Sequence, residues 1–259
     1  EGKAGTLNVE EAIGAGDQGM MFGYACNETD KLVPKAMVIL QELSRKYDDL
    51  RLMFPDDFYA DGKAQITGYY DEDFRLTKIK TFTISYQNSE KNREKTDEMI
   101  KGTALTICDK YGVEVEEFLI NPTGKFLIGG FDGDGGLTGR KIVVDSLQSF
   151  APVGGGAFSG KDSTKVDRSG AYKARQLAIR ALKENDLKWC EIQLSYAIGQ
   201  SKPLAIYIDS DKGNLEVPNS WYDECTPANI IKEFGLREPI FEKTASFGHF
   251  GNDFAWEVL

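Results

Sequence analysis

Glycines and cations are concentrated in two stretches of this sequence, residues 129–141 and residues 154–167. Glycine lets backbone N–H groups approach a ligand that a Cβ atom would block. Three cations, Arg140, Lys141 and Lys161, flank these glycines, which indicates that the ligand is an anion. We predict a short apolar strand over residues 142–144, between the two loops.

The charge balance limits what kind of anion this is. The chain has 259 residues, with 31 Lys and Arg against 41 Asp and Glu, a formal net charge of −10. Residues 140–175 reverse this balance, with seven cations against three acids. An acidic protein with one basic region suits a compact polyanion such as a nucleotide and argues against a general nucleic-acid or membrane binder. For Lys173 and Arg175 the alternative is a solvated helix face.

The second glycine loop meets the P-loop pattern only in part. Residues 155–161 satisfy its first seven positions, in which backbone amides and a lysine hold phosphates. The eighth position should be Ser or Thr, as a ligand of Mg²⁺, but here it is Asp162, and the next helix is predicted several residues too late. Residues 133–136 also fail to meet the dinucleotide-binding fingerprint. The loops predict phosphate binding outside both standard nucleotide folds, and a P-loop kinase is disfavoured.

The rest of the sequence predicts the elements that must hold these loops. Apolar residues at helical spacing, with a proline at two of the starts, predict helices from Pro34 to about residue 47, over 91–111, over 167–184, and from Pro227 to near Gly235. Apolar residues at a spacing of two predict strands at 63–69, 79–86, 118–120, 190–198 and around Leu204, Ile206 and Ile208. The predicted fold class is α+β, with repeated strand-pair, helix and strand units, each a sheet covered on one side by helices.

The domain organisation follows from these elements. We divide the chain into a loop over residues 1–16, a first α+β part over 17–122, and a part over 123–259 with the glycine loops and a C-terminal α+β unit. Because the chain starts at Glu1 rather than Met, we expect it to be part of a longer protein.

The four cysteines of the chain form no CxxC pair, which favours reduced thiols. Without a long apolar stretch or a signal-peptide pattern, we expect a cytoplasmic protein that contacts no membrane.

Several motifs carry a resemblance to a known family. They are GAGDQG at 14–19, GGLTGRK at 135–141, GGGAFSGKD at 154–162 and KVDRS at 165–169. These segments closely resemble the signature segments of S-adenosylmethionine synthetase (methionine adenosyltransferase). The resemblance runs from Gly14 to Trp256 and includes SYAIG at 195–199 and FGHFG at 247–251.

The resemblance implies a reaction between ATP and L-methionine. In this family the methionine sulfur attacks the ribose C5′, tripolyphosphate leaves, and the enzyme hydrolyses it to phosphate and pyrophosphate. The cofactors implied are Mg²⁺ and K⁺. The resemblance also implies a homodimer or homotetramer with active sites between subunits.

The resemblance further implies roles for individual residues. Those that would hold the phosphates are Lys63, Arg140, Lys141 and Lys161, with Lys161 the best candidate for neutralising the leaving group. The rest of the ATP site would be Asp61, Gly62, Lys125, Phe126, Asp134, Ala157 and, from a second subunit, Ile198. Methionine would contact Asp17, Asp134 and Lys165, and Mg²⁺ would bind Asp167. From residue type alone, Asp17 would be a turn or cap residue, and Phe126 and Ile198 would be core residues.

The sequence also departs from the family pattern. The family's N-terminal His-Pro-Asp-Lys segment, which supplies a catalytic histidine and a Mg²⁺ ligand, has no counterpart, nor do the potassium-binding and first methionine-binding residues. We expect the larger C-terminal part of a synthetase, with residues 1–16 in the family's mobile active-site loop. The alternative is a non-catalytic nucleotide-binding subunit that regulates a complete chain. The one histidine, His249, is expected to be a structural hydrogen-bonding residue.

Overall fold

The structure, a computed structural model, describes residues 13–259, which form two small sheets packed against helices. The strands are β1 (Gly19–Cys26), β2 (Phe58–Tyr70), β3 (Leu76–Asn88), β4 (Val115–Ile120), β5 (Trp189–Tyr196) and β6 (Ala205–Ser210). The α-helices are α1 (Lys35–Met53), α2 (Arg93–Lys110), α3 (Ile142–Asp145), α4 (Val166–Glu184), α5 (Ser220–Glu224) and α6 (Pro227–Glu233). The predicted α+β class is confirmed.

The chain divides into two compact units. Unit 1 contains the chain up to Val33 and Thr138–Leu259, and unit 2 is Pro34–Leu137. Our division of the sequence at residues 16 and 122 stays a prediction. Of the predicted loop over residues 1–16, residues 1–12 lie outside the described part of the chain.

Unit 1 contains an antiparallel sheet in the order β1-β5-β6, with α4 packed against β1 and β5. In β5 the side chains of Cys190, Ile192 and Leu194 are buried and those between them are half-exposed, which explains the period of two in the sequence. Helix α4 is buried along most of its length. A Cβ at Gly23 would overlap the backbone of Ala174, so β1 and α4 approach each other closely only because this position is glycine.

Unit 2 contains a sheet in the order β2-β3-β4, in which β2 and β3 are antiparallel and β3 and β4 are parallel. Helix α1 packs against β2, α2 packs against β4, and the two helices contact each other. Phe82, Ile84 and Tyr86 of β3 are buried in this core. The ring of Tyr47, on α1, packs edge-on against that of Tyr86 at a centroid distance of 6.1 Å.

Most predicted elements are confirmed, with shifted ends. Helix α1 runs six residues beyond the predicted end near residue 47, and α4 begins at Val166, later than a P-loop helix would. The apolar run after Gly19, to which the sequence assigned no element, is β1.

The strand predicted over residues 142–144 is wrong. These residues are the single helical turn α3, in which the Asp145 N–H donates to the Lys141 carbonyl at 3.0 Å. Three apolar residues are too few for periodicity to separate a strand from a helix. Val143 and Val144 are exposed, so no sheet partner stabilises an extended conformation here.

The alternative of a solvated helix face for Lys173 and Arg175 is also wrong, because both side chains are wholly buried in unit 1. Lys173 Nζ donates to Glu233 Oε2 at 2.8 Å. Arg175 donates to Glu257 Oε2 at 2.7 Å. With Arg168, which is also buried, three of the seven cations counted in the sequence thus belong to the interior.

Within residues 13–259, no helix is both long and apolar enough to cross a membrane.

We expect Gly23→Ala to destabilise the protein by about 3 kcal/mol, because an overpacked contact costs about 1–3 kcal/mol and this one is with helix backbone. Gly102→Ala is the matched control, since Gly102 lies inside α2 with nothing within 4 Å of an added Cβ. It should stabilise the protein by about 1 kcal/mol. The measurement is the free energy of unfolding in urea. Unchanged stability in Gly23→Ala would contradict the close approach of β1 and α4.

Candidate functional site

Asp17, Lys161 and Asp167 form an ionic cluster in unit 1. Lys161 Nζ donates to Asp167 Oδ2 and lies 3.8 Å from Asp17 Oδ2. Lys161 directly follows Gly160, the last glycine of the second loop, and Asp167 lies in the first turn of α4. The Lys161 side chain is 25% exposed, so a polyanion can reach its ammonium group.

Backbone hydrogen bonds bring Asp17 to this cluster. The Ala15 N–H donates to the Gln200 carbonyl at 2.8 Å, and the Gly199 N–H donates back to the Ala15 carbonyl at 2.8 Å. The Gly16 N–H donates to the Thr164 carbonyl at 3.1 Å. Asp17 is therefore placed by the main chain, and its position depends on three segments that are distant in sequence.

The second glycine loop lies directly against Asp167. A Cβ at Gly156 would overlap the Asp167 carboxylate, so an L side chain at this position would displace the acid. Ala157, which the resemblance places near ATP, is the next residue along the loop. Glycine at 156 thus lets the loop backbone pack directly against the Asp167 side chain, which is 10% exposed.

The two carboxyls of the cluster have pKa values shifted in opposite directions. Burial raises the pKa of Asp167, an effect that Lys161 opposes and Asp17 reinforces. The pKa of Asp17 is lowered, chiefly because the Gln18 N–H donates to its Oδ1 at 2.8 Å. With both acids ionised, the cluster has two negative charges and one positive charge, which favours a further cation.

The acids of this cluster fit a magnesium ion that is shared with a substrate. Within residues 13–259, no three His, Cys, Asp or Glu side chains converge on a metal position. Mg²⁺ commonly takes one or two carboxylates and completes its shell with water and substrate phosphates. Asp167, with Asp17 beside it, can supply such ligands.

Asp162, the residue that breaks the P-loop pattern, has a local structural role. Its Oδ1 accepts from the Thr164 N–H at 2.8 Å, and its Oδ2 pairs with Lys165 Nζ at 3.1 Å. The hydrogen bonds from Thr164 lower the pKa of Asp162 to about 2. Asp162 therefore stabilises the turn before α4, and it leaves Lys165 half-exposed.

The first glycine loop brings two further cations into unit 1. A Cβ at Gly139 would overlap the Cβ of Ala157, so the two glycine loops touch there. Arg140 and Lys141 follow, and both are exposed. Within the described residues neither of them pairs with an acid, which leaves both available to an anion.

Ile198 lies just after β5 and its side chain is 60% exposed. This exposure excludes the alternative that Ile198 is a core residue of the described chain. Its side chain is therefore free of the core and accessible to a ligand or a partner.

Unit 2 brings together a second group of the predicted residues. Asp61 Oδ2, on β2, accepts from the Gly130 N–H at 2.9 Å, and Gly62 and Lys63 follow on the same strand. The Phe126 carbonyl accepts from the Asn88 N–H at 3.1 Å at the end of β3. Lys125 forms an ion pair with Glu90. Lys63 and Asp134 are both exposed, and the Asp134 N–H donates to the Gly130 carbonyl at 3.0 Å.

Four residues that the sequence did not place at a site form a buried hydrogen-bond chain beside the second glycine loop. Arg168 Nε donates to the Tyr172 hydroxyl at 3.0 Å, and this hydroxyl lies 2.7 Å from His249 Nδ1. His249 Nε2 lies 3.1 Å from Ser159 Oγ. The structural role expected for His249 is confirmed. The spacing of four between Arg168 and Tyr172 places both on one face of α4 and could have indicated the pair.

We expect His249 to stay neutral far below the usual pKa of a histidine, because burial lowers its pKa from 6.5 to about 4. As the chain has a single histidine, a ¹⁵N-histidine-labelled, tag-free sample reports on it alone. The imidazole signals should hold steady from pH 7.5 to about 5. Since the unfolded chain would take up this proton near pH 6.5, His249 lowers stability as the pH falls from there towards 4. A titration midpoint near 6.5 would show that the imidazole is not buried.

Comparison with known protein families identifies both parts of the chain. Residues 12–126 match the central domain of S-adenosylmethionine synthetase, and residues 128–258 match its C-terminal domain. Both matches include residues of the sites described above, since Asp17 and Asp61 lie in the first range and Lys161 and Asp167 in the second. The chain belongs to the S-adenosylmethionine synthetase family.

Proposed function

We propose that this protein makes S-adenosylmethionine from ATP and L-methionine, with tripolyphosphate as the leaving group that is then hydrolysed. The observation that carries the proposal is the Asp17, Lys161 and Asp167 cluster under the second glycine loop. It puts a reachable ammonium and an excess carboxylate in one place, as the reaction of a metal-bound polyphosphate requires.

The main chemical demand of the reaction is the stabilisation of negative charge on the leaving group. Displacing a whole tripolyphosphate develops negative charge on the leaving oxygen, and cations fixed in advance stabilise it best. Lys161 is the first candidate for this role, with Arg140 and Lys141 on the first glycine loop and Lys63 on β2. Arg140 can bind two phosphate oxygens through parallel N–H bonds, whereas the lysines act as point charges.

Mg²⁺ would be held by Asp167, with Asp17 beside it, and would neutralise phosphate charge. Lys161, which pairs with Asp167 in the structure, would then leave that carboxylate and contact the phosphates. K⁺ remains an expectation from the family, and we assign it no residue.

We assign the remaining residues by the chemistry they offer. Asp17 would face the methionine ammonium and Lys165 its carboxylate, with Asp134 contacting methionine and ribose. Phe126 would stack on adenine, and the other ATP contacts would be Asp61, Gly62, Lys125 and the Ala157 backbone. The exposed Ile198 supports a site completed by a second copy, in a homodimer or homotetramer.

The activity test is direct. The 259-residue chain is incubated with ATP, L-methionine, Mg²⁺ and K⁺, with and without the family's N-terminal segment, and S-adenosylmethionine is detected by mass spectrometry. The chain alone should make little or no product, because the catalytic histidine and a Mg²⁺ ligand belong to that segment, and product formed when the segment is added supports the proposal. Robust turnover by the chain alone would overturn its interpretation as the C-terminal part of a synthetase. ATP binding without product, together with altered activity of an added complete synthetase, would favour the alternative of a regulatory nucleotide-binding subunit.

We expect Lys161→Met to lower kcat about 100- to 1000-fold with little change in the KM for methionine, since Lys161 contacts the leaving phosphates. Lys165→Met is the matched control, because it removes an equal charge four residues away. It should raise the KM for methionine more than it lowers kcat. Steady-state kinetics on chains that carry the family's N-terminal segment separates the two, and a Lys161→Met effect confined to the methionine KM would refute the phosphate assignment.

We also expect Phe126 and Ile198 to hold one adenine from two different subunits. Phe126→Ala and Ile198→Ala chains that both carry the family's N-terminal segment, mixed and reassembled, should then form heterodimers with one intact and one doubly altered site. Activity of the mixture should exceed that of each variant reassembled with itself. If both residues served one site within a chain, no site would be intact and mixing would restore nothing.

A further inference from the structure

The turn at Ser159, Gly160 and Lys161 is held from both ends by buried groups. At one end, Arg168 Nη1 donates to the Lys161 carbonyl at 2.8 Å. At the other end, His249 Nε2 lies 3.1 Å from Ser159 Oγ. The side chain proposed to meet the leaving group therefore emerges from a turn whose two ends are tied to the interior.

The chemistry of the donors gives the hydrogen-bond chain a single direction. Arginine can only donate, so the Tyr172 hydroxyl accepts from Arg168 Nε and has its own proton left for His249 Nδ1. His249 then accepts at Nδ1 and has its proton on Nε2, which it donates to Ser159 Oγ. The Arg168 guanidinium on α4 thereby selects the neutral tautomer of His249 that has its proton on Nε2.

The hydrogen-bond chain has little freedom to move, because three of its four residues are almost fully buried. The exposures of Arg168, Tyr172 and His249 are 3%, 0% and 1%. The Tyr172 ring stacks on Trp256 at a centroid distance of 3.7 Å. Arg168 is held further by Thr244 Oγ1, to which its Nη2 donates at 2.8 Å. Ser159 is the member nearest solvent, where the turn meets the loop.

We propose that Arg168, Tyr172 and His249 are positioning residues that set the Ser159 to Lys161 turn, so that the Lys161 backbone and the loop N–H groups are preorganised for a polyphosphate. The proposal rests on the phosphate role of Lys161 proposed above. It assigns these three side chains no contact with substrate. It predicts that they act on anion binding only through Ser159 and Lys161.

The test is tripolyphosphate binding to the 259-residue chain by isothermal titration calorimetry, with Ser159→Ala, Tyr172→Phe and the double variant. Each single variant should raise the Kd about tenfold, the effect of one lost hydrogen bond. Because Ser159 and Tyr172 act through the same imidazole, the double variant should bind about as weakly as either single variant. Independent effects would multiply to about a hundredfold.

Tyr196→Phe is the matched control. Tyr196 is a buried tyrosine of unit 1 whose hydroxyl donates to the Cys225 carbonyl at 2.6 Å, outside the hydrogen-bond chain. The Tyr196→Phe variant should lose stability as Tyr172→Phe does, and its Kd for tripolyphosphate should equal that of the unaltered chain. Unfolding in urea verifies that each variant is folded. If Tyr172→Phe fails to fold, Ser159→Ala, whose side chain is only partly buried, decides by itself.

A spectroscopic readout follows from the single histidine. In the unaltered chain the ¹⁵N signals should report the tautomer with the proton on Nε2, and Tyr172→Phe should change the Nδ1 signal. Added tripolyphosphate should shift the Nε2 signal in the unaltered chain and not in Ser159→Ala.

The outcomes separate the two proposals. An unaltered chain that does not bind tripolyphosphate overturns the phosphate assignment and this inference with it. Binding that Ser159→Ala and Tyr172→Phe leave unchanged, or weaken by independent amounts, overturns the positioning role alone, as does the opposite tautomer.

Discussion

Helix α4 contains three cationic side chains that lie inside unit 1, namely Arg168, Lys173 and Arg175, and groups packed around the helix accept hydrogen bonds from each of them. Leaving one such charge without its partner costs roughly 3–5 kcal/mol. Arg175 is satisfied by Glu257 and by the backbone carbonyls of Tyr24, Lys31 and Leu32, and Lys173 by Glu233 and Gln176. Ion pairs and hydrogen bonds, as well as the burial of apolar side chains, thereby hold the C-terminal segment and the end of β1 to α4.

The candidate site begins where the same helix begins. Asp167 lies in its first turn, and Arg168, one residue later, turns inward to hold the carbonyl of Lys161. One acid of the ionic cluster, Asp167, and the arginine that supports the Lys161 backbone therefore lie on adjacent residues of one helix. In the proposed function Lys161 stabilises a developing charge, which favours order before the reaction, and the hydrogen bond from Arg168 orders the Lys161 backbone.

The glycine loops illustrate how similar residues can serve different geometries. The second loop has the glycines and lysine of a P-loop, yet Asp162 stabilises the turn before α4, and the helix starts only at Val166. The phosphate-binding surface proposed here is consequently built from side-chain cations and loop backbone, with acids at the helix start that suit Mg²⁺. In a P-loop the helix N-terminus itself faces the phosphates.

The sequence by itself determined the secondary structure that depends on local periodicity. The alternation in β3 and β5 and the apolar faces of α2 and α4 are written into neighbouring residues, so these elements were predictable. The motifs also determined the family. Only the tertiary structure decided that residues 142–144 are helical, because three apolar residues contain no period.

Likewise, only the fold showed that β1 pairs with β5 and that Asp17 lies beside Lys161 and Asp167. The charge count could not separate Lys161 from Lys173, since one lysine reaches solvent and the other is wholly buried against distant acids. His249 and Ser159 are 90 residues apart, and their hydrogen bond depends on how α4 packs against the C-terminal segment. Contacts of this kind come from long-range packing, which has no counterpart in the spacing of residues along the chain.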